Sequence, residues 1–155
     1  MLTIHIPNEI TEIGNKIKKV TTNNKGLIVI NGSDQNWNNY MAHSLLNELI
    51  LDESGSKRIK ECVTIPGPDD TYTPQWLSAP VPLEKLTDNM VVFATAIREV
   101  QKAKDVLIAA EKCIVICIVH VTSTEDIVGR FVDMGVNKDD IVKNLVCTIS
   151  REDTQ

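Results

Sequence analysis

The sequence predicts an α/β fold, a mostly parallel sheet with helices on both faces. Three observations carry this reading. Strand-like apolar runs alternate along the chain with segments of helical periodicity, the order that builds a parallel sheet. The longest apolar run, CIVICIVHV (113–121), is short and β-branched, as expected of a strand buried on both faces. The stretch GLIVINGSDQNWNNYMAHSLLNEL (26–49) passes from an apolar strand through a Gly and a polar loop into an amphipathic helix, the outline of a nucleotide-binding element.

The elements follow in order. Residues 8–20 place Ile10, Ile13, Ile17 and Val20 at helical spacing, with Asn8 as N-cap. KGLIVIN is a strand, and residues 40–51 put Met41, Leu45, Leu46, Leu49 and Ile50 on one helical face. RIKECVTI (58–65) reads as a strand that breaks at the turn-rich PGPDD. From Pro66 to Pro82 lie five of the six prolines, with Tyr72 and Trp76, so this is a long loop or lid. MVVFATAI (90–97) is a strand, and residues 98–112 form a helix with Val100, Ala103, Leu107 and Ala110 inward. After the buried strand, a helix over 123–135 has Ser123 or Thr124 as cap and Gly135 as stop. KDDIVKNLVCTIS reads as a last helix.

The totals limit the function classes. A chain of 155 residues with 43% apolar and 24% charged content suits one soluble domain. The net charge of −5 argues against nucleic acid as the main partner, since phosphate binding needs a basic surface. Lys16, Lys18, Lys19 and Lys25 read as a solvated face. No apolar run reaches the roughly 18–20 residues of a membrane span, and Met1 to Val20 lacks a secretory-signal profile. Cys62, Cys113, Cys117 and Cys147 show no C-x-x-C pair and no His at zinc-ligand spacing, so they read as small buried hydrophobes in a reducing cytosol, with no metal.

The second half of the chain resembles a known family. VLIAAEKCIVICIVHVTSTEDIVGRFVDMGV is similar to the motor ATPases of type II secretion and type IV pili (the PilT/GspE-like secretion ATPases). In that family a helix ending A-A-E leads to a strand, a histidine box and a helix carrying R-[LIF]-x-D-M-G. Ala109, Ala110, Glu111, His120, Ser123, Arg130, Asp133, Met134 and Gly135 match in order. The box Thr falls on Val121, and the Glu111–His120 gap is one residue short. CVTIPGP resembles the aspartate-box strand through Thr64, Ile65 and Pro68, and MVVFATAIRE resembles the Walker B strand through Arg98. The resemblance implies a RecA-like P-loop NTPase core, one domain over residues 1–155 without the family's N-terminal domain and terminal helices.

It also implies a site that has lost its chemistry. A P-loop reads G-x-x-x-x-G-K-[ST], and here the residues are Gly32, Ser33, Asp34, Gln35, Asn36, Trp37, Asn38 and Asn39. The second Gly falls on Trp37, the Lys on Asn38 and the Mg²⁺-binding Ser/Thr on Asn39. Two lost charge-assisted contacts of about 1.5–3 kcal/mol each weaken nucleotide binding by about 10² to 10⁴. The Walker B Gly-Glu falls on Thr95 and Ala96, and the aspartate-box Glu-Asp on Pro66 and Gly67. Arg98 and His120 survive; a lone His on an apolar strand reads first as a structural residue. Phosphoryl transfer then has little electrostatic stabilisation.

These losses lead to an expected pseudoenzyme. The expected vestigial site is Gly32, Trp37, Asn38, Asn39, Ala96, Arg98 and His120, with no catalytic residue, no metal and weak or absent ATP/Mg binding. The expected role is a cytoplasmic binding or regulatory subunit, peripheral at the inner membrane, whose partner is an active motor ATPase or a membrane platform protein. Two alternatives stand beside it. One is a divergent NTPase using Asp69, Asp70 and His120; the other is an adaptor presenting Trp37, Tyr72 and Trp76.

Overall fold

The computed structural model describes residues 2–6, 24–51, 54, 56–66, 80–121 and 126–151. The expected helix over 8–20, the segment with Asp69, Asp70, Tyr72 and Trp76, and the caps Ser123 and Thr124 lie outside these residues.

Six parallel strands form one sheet: β1 (Leu2–Ile6), β2 (Gly26–Asn31), β3 (Glu61–Val63), β4 (Met90–Ala96), β5 (Ile114–Val119) and β6 (Leu145–Arg151), in the order β1-β6-β2-β5-β4-β3. The helices are α1 (Gln35–Ile50), α2 (Val100–Ala110), α3 (Asp126–Asp133) and α4 (Lys138–Asn144), with a 3₁₀ turn at Leu83–Lys85. Such a sheet is buried on both faces, which is why Leu27–Ile30 of β2 and all of β5 are apolar at successive rather than alternate positions.

The alternation of side chains divides the core in two. Ile28, Ile30, Phe93, Ile114, Ile116, Ile118, Cys147 and Ile149 face α1, where Met41, Ala42, Leu45, Leu46 and Leu49 cover them. Leu27, Val29, Val92, Ala94, Val115, Cys117 and Val119 face the other way, onto Ala103, Val106 and Leu107 of α2, Ile127 and Phe131 of α3 and Ile141 of α4.

The chain crosses from β2 outward to β3, works back through β4 to β5, then passes over β2 to β6. The direction of crossing therefore changes around β2. In parallel sheets the crevice beyond the strand C-termini at such a point is where ligands sit. Here it lies at the ends of β2 and β5.

Three expectations are corrected. Residues 145–150 are strand β6, not the end of a helix. Leu145, Cys147 and Ile149 are buried, and the segment pairs with β1 on one side and β2 on the other. No Gly or Pro separates α4 from β6, so the helical pattern seemed to run on. Second, α1 starts at Gln35 rather than residue 40, which shortens the polar loop to Gly32–Asp34. Third, Val100 is not inward but 49% exposed, because α2 turns its first residue away from the sheet.

Candidate functional site

Asn31 ends β2 and Gly32 follows it, while His120 and Val121 follow the neighbouring strand β5. A polar seam joins them. The Val121 N–H donates to Asn31 Oδ1 at 3.1 Å, and His120 Nδ1 lies 3.0 Å from the Gly32 carbonyl. A carbonyl oxygen only accepts, so Nδ1 carries the proton in this contact. The same carbonyl accepts from Asn38 Nδ2 at 2.8 Å. His120 is thus an exposed residue just past the strand, tying two strand ends together, rather than a core histidine within it.

The loop between β2 and α1 is closed from within. Asp34 has extended backbone and caps α1, its Oδ1 accepting from Asn36 N–H at 2.9 Å and Trp37 N–H at 3.3 Å. Asp is among the strongest N-caps, and no Gly or Pro between residues 35 and 39 resists the helix. Helix therefore begins inside the stretch where a P-loop stays open. Asn38, fully buried and expected at the P-loop Lys position, turns back onto Gly32. Trp37 is half-buried and packs against the core beneath α1. A Cβ on Gly32 would stand 2.4 Å from Asn38 Oδ1 and 2.8 Å from the Trp37 ring, so both side chains need this glycine. Asn39 is half-buried one position further along α1.

Across the crevice, β4 ends in a bulge. Phe93 pairs with Ile116 and Ala96 with Ile118, so three steps on β4 match two on β5. Thr95 carries the change at φ +59°, a left-handed conformation costly for a β-branched residue. Thr95 is the residue expected at the Gly of the Walker B pattern, and glycine adopts this backbone without steric cost. Ala96 brings no carboxylate, and Arg98 is exposed beyond the strand. Thr64 and Ile65 are buried just past the end of β3.

Two carboxylates escaped the motif comparison. Asp34 is a cap residue type before a stretch free of Gly and Pro, the signal that could have moved the expected helix start back from residue 40. Glu99 is the N-cap of α2, and its Oε1 is buried without a hydrogen-bond partner. Nothing local in the sequence marks it, because its burial comes from tertiary packing. Among the described residues no group of three His, Cys, Asp or Glu side chains is placed to hold a metal ion.

No protein-family model matches the chain, and no curated protein matches it. Solved structures do. The ATPase DotB of Legionella pneumophila superposes with a TM-score of 0.59 and 13% identity, over 94% of this chain and 45% of that one. The ATPase DotB of Yersinia pseudotuberculosis gives a TM-score of 0.57 at 13% identity, over 94% and 44%. The chain has the P-loop ATPase fold. It spans less than half the length of either DotB structure. Within this fold, β2, the Gly32–Asp34 turn and α1 follow one another as strand, turn and helix. The predicted positions Gly32, Trp37, Asn38 and His120 do come together there. Thr95, Ala96 and Arg98 lie at the end of β4, separated from β2 by β5.

Proposed function

We propose that this chain is a catalytically inactive relative of the secretion motor ATPases, a single RecA-like domain acting as a binding or regulatory subunit of a type IV pilus or type II secretion apparatus. The observation that supports it is the Asp34 carboxylate on the first amides of α1. A helix N-terminus binds phosphate through free N–H groups and the positive end of its dipole. Here a side-chain anion already holds two of those donors. A phosphate arriving about 4 Å away would meet a like charge, a repulsion of about 1 kcal/mol in water rising to about 4 kcal/mol at an effective dielectric near 20. With Asn38 in place of the Lys and Asn39 in place of the Mg²⁺ ligand, neither side chain brings a charge or a bound cation to offset that repulsion.

The retained ATPase fold and the family-like order of motifs around Ala109–Gly135 support the link to a secretion motor. In this reading the chain is cytoplasmic and peripheral at the inner membrane. Its partner is an active motor ATPase or the platform protein that motor drives.

Two measurements test this. Calorimetric titration with Mg-ATP gives no binding below about 0.1 mM, the loss expected for the missing contacts; micromolar affinity overturns the inactive reading. Co-purification with an active motor or platform protein from the same host supports the subunit role. Recovery of no apparatus component removes it.

A further inference from the structure

Asn31 is followed by Gly32, and none of the other asparagines in the chain precedes a glycine. This pairing is chemically labile. The side-chain amide of Asn is an electrophile, and the backbone nitrogen of the next residue can close a five-membered ring onto its Cγ. A side chain on that next residue hinders the approach, and glycine has none. The fold uses both residues. A Cβ at position 32 would stand 2.4 Å from Asn38 Oδ1, and Asn31 supplies the oxygen that accepts from Val121 N–H at 3.1 Å.

The same contacts hold the reaction in check. Asn31 is 6% exposed and ends β2, paired with Val119 of β5 on one side and Ser150 of β6 on the other. Strand backbone keeps the Gly32 nitrogen out of line with Cγ, so ψ of Asn31 must leave the β region before the ring can close. The Val121 bond fixes the Asn31 side chain. The Gly32 carbonyl accepts from Asn38 Nδ2 at 2.8 Å and from His120 Nδ1 at 3.0 Å, which fixes the residue that carries the attacking nitrogen.

We propose that Asn31–Gly32 is a self-modification site gated by opening of the seam between the ends of β2 and β5. In the opened form the Gly32 nitrogen loses its proton and attacks Asn31 Cγ. The new C–N bond forms, the Cγ–Nδ2 bond breaks, and Nδ2 leaves as ammonia with that proton. Water then opens the succinimide ring. Attack at Cγ gives aspartate, which keeps the backbone and an oxygen that can accept from Val121 N–H. Attack at the backbone carbonyl gives isoaspartate, whose main chain runs through the side chain and gains a methylene. That extra length displaces Gly32 from His120 and Asn38, so the seam does not re-form. The reaction uses water alone, with no nucleotide and no partner, and its test is independent of the nucleotide titration.

Ring closure is slow beside reclosing of the seam, so the rate follows the population of the opened form. The full chain is incubated at neutral pH, and peptide mapping by mass spectrometry follows aspartate and isoaspartate at position 31. In the urea-unfolded chain Asn31 converts faster than any other Asn, and in the native chain it converts at least about tenfold more slowly. His120→Ala raises the native rate about two- to tenfold, the factor set by one hydrogen bond, and leaves the unfolded rate unchanged. Ile141→Val, a comparable loss of stability in the core beneath α4, leaves the native rate unchanged. Circular dichroism shows both variants folded. Chain aged to isoaspartate unfolds at a lower temperature than Asn31→Asp, which carries the charge without the methylene. Equal rates in the native and unfolded chain overturn the proposal. So do a parental rate in His120→Ala, equal acceleration by Ile141→Val, or an isoaspartate chain as stable as Asn31→Asp.

Discussion

His120 Nδ1 lies 3.0 Å from the carbonyl oxygen of Gly32, 88 positions away in sequence. This contact closes the ends of β5 and β2 over the place where a P-loop would open. Removing it leaves no orphan, because Asn38 Nδ2 still donates to the same oxygen. His120→Ala therefore costs about 0.5–1.5 kcal/mol, the net worth of one hydrogen bond. Thermal unfolding should shift down by a few degrees. An unchanged midpoint would mean that the bond contributes nothing in solution.

Gly32 and Gly129 respond oppositely to alanine. At Gly32 a methyl group meets Asn38 and Trp37 inside normal contact distance, so Gly32→Ala destabilises by about 1–3 kcal/mol through overpacking. At Gly129, inside α3, a Cβ meets nothing within 4 Å. Gly129→Ala therefore stabilises by about 0.5–1 kcal/mol through helix propensity and reduced unfolded-state entropy. Chemical denaturation of the two variants checks both signs.

The left-handed backbone of Thr95 gives a further ordering. Its hydroxyl donates to the Ala94 carbonyl at 2.6 Å, which relieves part of the cost of φ +59°. Thr95→Asn keeps a polar side chain and tolerates this conformation better, so it gains about 0.5–1 kcal/mol. Thr95→Val keeps the β-branch and loses the hydroxyl, and it is less stable than the parent. Denaturation midpoints in any order other than Asn above Thr above Val contradict the assignment of strain to this residue.

The cysteines make the fold sensitive to alkali. Burial pushes the thiols of Cys62, Cys113 and Cys147 up to about 12, and that of Cys117 up as well. Each binds its proton more tightly in the folded chain than in the unfolded one, where the ordinary value is about 8.5. Their contribution to stability is complete below about pH 8.5 and declines as pH rises toward the folded values. Urea midpoints should hold near neutrality and fall above about pH 9. A thiol reagent at pH 8 should label the four cysteines only upon unfolding. Rapid labelling of the native chain would contradict their burial.

The sequence by itself determined the layered α/β fold. LIVI (27–30) and CIVICIV (113–119) are apolar at every position, and a strand covered on both faces asks for that. It also determined that Trp, Asn, Asn and Ala stand at positions 37, 38, 39 and 96, because residue identity needs no coordinates. Leu145–Arg151 was different. No Gly or Pro marks its start, and pairing with β1 and β2 made it a strand. Only the tertiary structure decided how the turn between β2 and α1 is closed. Asp34 reaching the amides of Asn36 and Trp37, Asn38 folding onto Gly32, and His120 closing over the same oxygen all depend on two distant strand ends lying side by side. Local sequence sets propensity and residue chemistry. Parallel pairing across crossovers sets which of those residues meet, and that is a property of the assembled sheet.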